Sequence, residues 1–178
     1  ATFPDSFSKL TYDPFKDLVA VGGLGVTPTV IVTSNKEING VKDLIEWSRK
    51  EPDGLSYGSA GYGLLQHLAI EALADNAKAR LVHVPYRGGG GATTDLMTGR
   101  LHFGSFAAGS VVSLTNDGSV KIIAVVQEKR SGLLPNVASF AEQGYPGFDA
   151  SAWFGLLAPA ASTGFIWKKG LQPSSMLR

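Results

Sequence analysis

The chain has 178 residues, 44% hydrophobic and 17% charged, with a formal net charge of +1 and no cysteine. Such a chain can bury a sizeable core, and it has none of the composition of a disordered tail, a disulfide scaffold, a thiolate metal site or a cysteine nucleophile. Sixteen Lys and Arg face fifteen Asp and Glu with no run of one sign, so the clustered basic footprint of a nucleic-acid partner is missing.

In chain order, the start from Ala1 to Lys9 lacks a basic segment followed by an apolar run, so no export signal is expected within it. No stretch reaches the roughly 18 apolar residues of a membrane span. From Leu18 onward, β-rich runs alternate with helical spacing. Strands are expected at Leu18 to Gly22, Thr29 to Thr33, Leu55 to Gly58, Ala79 to Val84, Leu101 to Phe106, Val120 to Val126 and Ser151 to Ala158. Val41, Leu44 and Ile45 make one helical face. Leu65, Leu68, Ala69, Ala72 and Leu73 make another within Tyr62 to Ala77, and Ala92 with Leu96 marks a third. A fourth helix is expected over Ala107 to Asn116, weakened by the β-branched pair Val111 and Val112. This rhythm predicts an α/β fold, a parallel-type sheet flanked by helices.

Ligands of such sheets sit where strands hand over to helices. Three loops there are rich in small residues: Gly58-Ser59-Ala60-Gly61-Tyr62-Gly63, Pro85-Tyr86-Arg87-Gly88-Gly89-Gly90-Gly91, and Ser105-Phe106-Ala107-Ala108-Gly109-Ser110. All three are expected on one edge of the sheet. Glycine at a helix N-terminus brings unpaired first-turn amides within reach of an anion, favoured further by the helix dipole. The expected ligand set is Ser59, Ala60, Gly61, Gly63, Tyr86, Arg87, Gly88, Gly89, Gly90, Gly91, Thr93 and Phe106, with Ser59, Thr93 and Thr94 as hydroxyl donors. Arg87 either pairs bidentately with a carboxylate or is a surface cation. Tyr86 either walls the pocket or packs on the sheet edge.

Other chemistries lack their residues. No Gly-Lys-Ser or Gly-Lys-Thr phosphate loop occurs, and the first loop is not a Gly-x-Gly-x-x-Gly dinucleotide turn. No cofactor is expected. Ser59 is one residue out of register with a hydrolase elbow, and the three histidines lack metal-ligand spacing, so His67 and His83 are expected to be structural.

The chain resembles the substrate-binding proteins of tripartite tricarboxylate transporters, the Bug family, over about Tyr12 to Ala160. The likeness rests on Tyr12-Asp13-Pro14-Phe15-Lys16-Asp17, on Tyr57 to Gly63 with His67-Leu68, and on His83-Val84-Pro85-Tyr86-Arg87-Gly88-Gly89-Gly90-Gly91-Ala92. It continues in Lys129-Arg130-Ser131, Leu134-Pro135-Asn136-Val137, Ala141 to Phe148 and Trp153-Phe154-Gly155-Leu156. The resemblance implies a two-lobe periplasmic binding protein, not an enzyme, that closes on a small carboxylate and delivers it to membrane permease subunits. It implies a ligand carboxylate held by backbone amides and ordered water. Against the family pattern, residues 1–25 read as a remnant of the first lobe with a hinge strand, 26–150 as the ligand-binding middle lobe, and 151–178 as a hinge strand and a divergent tail. The N-terminal third is expected to be missing, and Leu64 replaces a small polar residue. An incomplete first lobe leaves strands that could pair into a homo-oligomer.

Overall fold

The structure is a computed structural model and describes residues 11–116 and 118–162. The expected tail lies, beyond Ser162, outside the described residues. Among the described residues six strands form: β1 (Leu18–Thr33), β2 (Leu55–Ser59), β3 (Leu81–Pro85), β4 (Phe103–Ala107), β5 (Lys121–Val125) and β6 (Ser151–Pro159). Helices are α1 (Val41–Lys50), α2 (Leu65–Ala77), α3 (Gly89–Met97) and the single turn α4 (Val112–Thr115). The sheet order is β3-β2-β4-β1-β5, with β6 paired to β1.

The α/β layering is as the sequence predicts, but the sheet is mixed. β2 runs parallel to β3 and β4, whereas β1 is antiparallel to β4 and β5. The two expected strands at Leu18 and Thr29 are one 16-residue strand. Extended backbone continues through residues 23–28, which lie between the two expected strands. The expected fourth helix is a 3-10 turn at Ala108–Ser110 followed by α4, shortened where the branched Val111 and Val112 stand.

Alternation along β1 divides the core between the two faces of the sheet. Ile31 joins Leu44, Ile45, Tyr57, Ile70, Leu73, Phe103 and Phe140 beneath α1 and α2. Val30 and Val32 join Ala92, Leu96, Phe106, Val111 and Val125 beneath α3. α1 buries Val41, Leu44, Ile45 and Ser48, one face of a 3.6-residue period. Asp43 in its first turn and Arg49 and Lys50 in its last complement the helix dipole. Its Val41 N–H donates to Gln143 Oε1 at 2.7 Å, supplying from a distant loop the cap that Gly40 cannot.

In α2 the buried face is His67, Ala69, Ile70 and Leu73. That is a rotation from the expected face: Leu68 is 43% exposed and Ala72 is exposed. Apolar residues occupy nearly every side of this helix, so periodicity alone could not select among them. The helix ends at Lys78 in the left-handed region, φ 52°, with Ala79 N–H returning to Ala74 O. After β5 the chain wraps without regular structure. Phe140 N–H meets Val125 O, and Arg130 grips Glu142 Oε2 at 2.9 Å.

The chain divides into two compact units. One is Thr27–Ala152 and contains α1 to α4 and β2 to β5; the described parts of the other are residues 11–26 and 153–162. In that second unit the turn at Asp13 is closed by its own carboxylate, which accepts the Phe15 N–H at 2.9 Å. Leu24, Val26, Trp153, Phe154, Leu156 and Leu157 are exposed along β1 and β6.

Candidate functional site

Parallel pairing of β2 with both β3 and β4 fixes where the loops emerge. Ser59 is level with Pro85 on one side and with Ser105 on the other, so the three loops leave the same edge of the sheet side by side. The first two are then tied together through the backbone. Tyr86 N–H donates to Ser59 O at 3.3 Å and Gly88 N–H to Ala60 O at 2.9 Å. Each loop opens a helix, α2 or α3, and neither helix carries a side-chain cap. First-turn amides of a helix have no intrahelical acceptor, so two uncapped N-termini face the same edge.

The expected site residues sort by what they touch. Gly88, Gly90 and Gly91 are exposed and Gly89 is half-buried, placing the α3 amides at the surface. Gly88 sits at φ 99°, ψ 167°, a conformation almost confined to glycine, and it turns the chain from β3 into α3. Arg87 is exposed, and its guanidinium has no partner among the described residues. Ala60, Gly61 and Gly63 are half-buried in the first loop.

The remaining expected residues support the loops from behind. Ser59 is 0% exposed, and its Oγ lies 3.1 Å from Gly61 O and 2.7 Å from His83 Nε2. Thr93 and Thr94 both donate to Gly90 O, at 2.8 and 3.1 Å, so their hydroxyl hydrogens are spent within the helix. Tyr86 packs on α3. Its ring lies where a Cβ on Gly91 would touch it, and its hydroxyl donates to Asp95 Oδ2 at 2.7 Å. Burial, and then the Asp95 carboxylate, push that phenol up to about 12. Phe106 is 1% exposed and its ring reaches beneath Gly89 and across Gly104. A side chain on Gly104 would overlap that ring, so the glycine in β4 is what lets Phe106 fold under α3.

Sequence reasoning missed what lies behind the first loop. His67 is the third residue of α2, and its ring stacks on His83 of β3 with centroids 4.0 Å apart. His67 Nδ1 accepts the Gly63 N–H at 3.2 Å, and Nε2 is 3.7 Å from Glu71 Oε1, which also takes the Tyr57 hydroxyl at 2.7 Å. Burial, and then the nearby His67, hold His83 below the usual imidazole range. Burial, and then Glu71, push the Tyr57 phenol well above its usual range. Only the pairing of β2 with β3 brings positions 67 and 83 together, and no local pattern encodes it.

Among the described residues no group of three or more His, Asp or Glu could hold a metal, and no helix is long and apolar enough to cross a membrane. The Ser59–His83 pair has the contact distance of a nucleophile and base. Its hydroxyl is inaccessible, however, and His83 Nδ1 meets no partner among the described residues, so the orienting acid of such a triad is absent there.

Comparison with known proteins places this arrangement. Among curated proteins, the chain is 34% identical over 158 residues to the UPF0065 protein in the tcbD-tcbE intergenic region of Pseudomonas sp. strain P51, covering 86% of this chain and 46% of that protein. It is 30% identical over 151 residues to protein BugT of Bordetella pertussis, covering 84% and 46%. The chain thus spans about half the length of these relatives. Among solved structures, R. palustris Rpa4515 with adipate superposes with a TM-score of 0.85 at 29% identity, covering 92% of this chain and 55% of that one. MatC from Rhodopseudomonas palustris with bound malate superposes with a TM-score of 0.78 at 27% identity, covering 90% and 55%. The family description "Tripartite tricarboxylate transporter family receptor" matches residues 1–173, well past Ala160, where the recognisable motifs stop. The chain belongs to the tripartite tricarboxylate transporter receptor family, the Bug-type periplasmic binding proteins.

Proposed function

We propose that this chain belongs to a periplasmic solute receptor that takes one carboxylate of a small ligand on the backbone amides of the two joined glycine loops. It then presents the ligand to the permease subunits of a tripartite transporter, without covalent chemistry. The observation that carries this reading is the pair of uncapped helix N-termini on one edge, bonded to each other at Gly88 and Ala60. The hydroxyl hydrogens of Thr93 and Thr94 are donated to Gly90 O, which leaves the amides of Gly89 to Gly91 and the free Arg87 as the donors. Amide-lined helix starts select for negative charge without selecting for ligand shape. The adipate and malate held by two structural neighbours are both carboxylates of this class.

Calorimetric titration with adipate, malate, succinate, citrate and glutamate tests the reading. Binding of at least one, weakened about tenfold or more by Arg87→Ala as expected for a charge-assisted bond worth roughly 1.5–3 kcal/mol, supports it. Silence across the panel overturns it for this chain. A second reading is favoured by the exposed Leu24, Val26, Trp153, Phe154, Leu156 and Leu157 of β1 and β6: these strands join a second polypeptide. A monomer in light scattering at high concentration removes that alternative.

A further inference from the structure

We propose that the exposed ring of Tyr62, with Leu64 beside it, is the specificity-determining face of the ligand site, and that it selects a carboxylate whose body is an aromatic ring. The inference rests on the carboxylate reading above for the seat and adds the class of molecule that fills it.

Tyr62 is the outer end of a column of rings. Phe103 of β4 lies 5.2 Å from Tyr57 of β2, Tyr57 lies 4.9 Å from His83 of β3, and His83 lies 4.0 Å from His67 of α2. His67 in turn lies 4.7 Å from Tyr62, and each successive ring is tilted by no more than 36° from the last. The inner end is fully buried, with Phe103 and Tyr57 at 0% exposure, whereas Tyr62 is 79% exposed. One face of the Tyr62 ring is therefore held by the imidazole beneath it, and the other is left to solvent. A ring fixed in this way is a preformed platform, because aromatic pairs favour offset stacking at centroid separations of about 4.5–7 Å.

The rest of the first loop offers a ligand body nothing polar from its side chains. Leu64 stands at the N-cap of α2 without a side-chain bond to the helix, a place where Ser, Thr, Asp or Asn would stabilise the first turn and leucine does not. A Cβ placed on Gly61 would lie 3.3 Å from Leu64 Cδ1 and 3.7 Å from Tyr86 O, so this methyl group sits at the seam of the two loops. Ser59 is fully buried, and the Thr93 and Thr94 hydroxyl hydrogens go to Gly90 O. One carboxylate has its donors in Arg87 and the α3 amides. A hydroxyl or second carboxylate laid along Leu64 and Tyr62 would lose water without a partner, which is unfavourable. A flat apolar ring laid there loses no hydrogen bond and gains the stack.

Calorimetric titration of the full chain with benzoate, cyclohexanecarboxylate and adipate tests this. The first two carry the same carboxylate on a six-membered ring and differ in the aromatic face. Benzoate should bind about three- to tenfold more tightly than cyclohexanecarboxylate, the range a stacked aromatic pair supplies beyond its buried area. That ratio should fall toward one in Tyr62→Leu and persist in Tyr62→Phe. Each ratio is taken within one protein, so any loss of folded fraction cancels. In proton NMR, benzoate should move the Tyr62 ring signals upfield through its ring current. Equal affinities for the two ring acids, a preference that survives Tyr62→Leu, or Tyr62 signals indifferent to bound benzoate overturn the inference. Binding of adipate without benzoate overturns it as well and leaves the carboxylate reading standing. Silence from all three removes that reading and this inference together.

Discussion

Adding one methyl group at Gly88 and, separately, at Gly90 yields opposite changes in stability. At Gly88 nothing lies within 4 Å of the new carbon, so no clash contributes. The cost is the backbone: φ 99°, ψ 167° is a region that L-residues occupy at about 1–3 kcal/mol. Roughly 0.4–1 kcal/mol returns because alanine restricts the unfolded chain. The net loss is about 0.5–2 kcal/mol. Gly90 is also open within 4 Å, but it lies inside α3 with no positive φ. There alanine gains up to about 1 kcal/mol of helix propensity. Urea unfolding followed by circular dichroism reads both. With a slope of about 1–3 kcal/mol per molar, Gly88→Ala lowers the midpoint by several tenths of a molar or more and Gly90→Ala raises it. A Gly88→Ala protein at or above the wild-type midpoint, with unchanged slope, would refute the assignment of strain to that turn.

Gly104→Ala should destabilise by about 1–3 kcal/mol through overpacking against Phe106, and thermal melting should show partial rescue by Phe106→Leu; an unchanged melting temperature in the single variant counts against the packing described. Tyr86→Phe removes the bond to Asp95 and should cost about 0.5–1.5 kcal/mol, measurable in urea, with adipate affinity falling less than in Arg87→Ala. Acid should destabilise the fold in two stages. His83 is held below the ordinary imidazole value of 6.5 in the folded state, so the unfolded chain takes up protons first and stability declines as pH drops below that value. Glu142 is held below 4.5 by the Ser139 N–H and then Arg130, so its contribution is present above 4.5 and is lost as pH falls through its lowered folded value. A urea midpoint level from pH 7 to pH 3 contradicts both assignments.

Much of the architecture is readable in the chain because it follows from local spacing. The run Thr29 to Thr33 declares a strand, and Val41, Leu44 and Ile45 declare the buried face of α1, before any contact is known. The glycines around 61 and 88 likewise mark where strands meet helices. What stayed hidden is set by residues far apart in sequence. The direction of β1 depends on β4 and β5, and no property of Leu18 to Thr33 encodes it. Gly23 and Gly25 fall between the two expected strands because their local preference is weak, yet one strand runs through them. The Thr93 and Thr94 hydroxyls bond back to the Gly90 carbonyl one helical turn earlier, a competition between ligand and backbone that composition does not reveal. Both histidines stand in the strings that carry the family resemblance, yet their contact with each other arises only when β3 is laid beside β2.

The bonds from Tyr86 to Ser59 and from Gly88 to Ala60 make the two turns one mechanical plate rather than two independent fingers. A disturbance at either turn therefore reaches the other through the backbone. Paired substitutions at positions 60 and 88 should depart from the sum of their single effects, even where neither residue touches the solute.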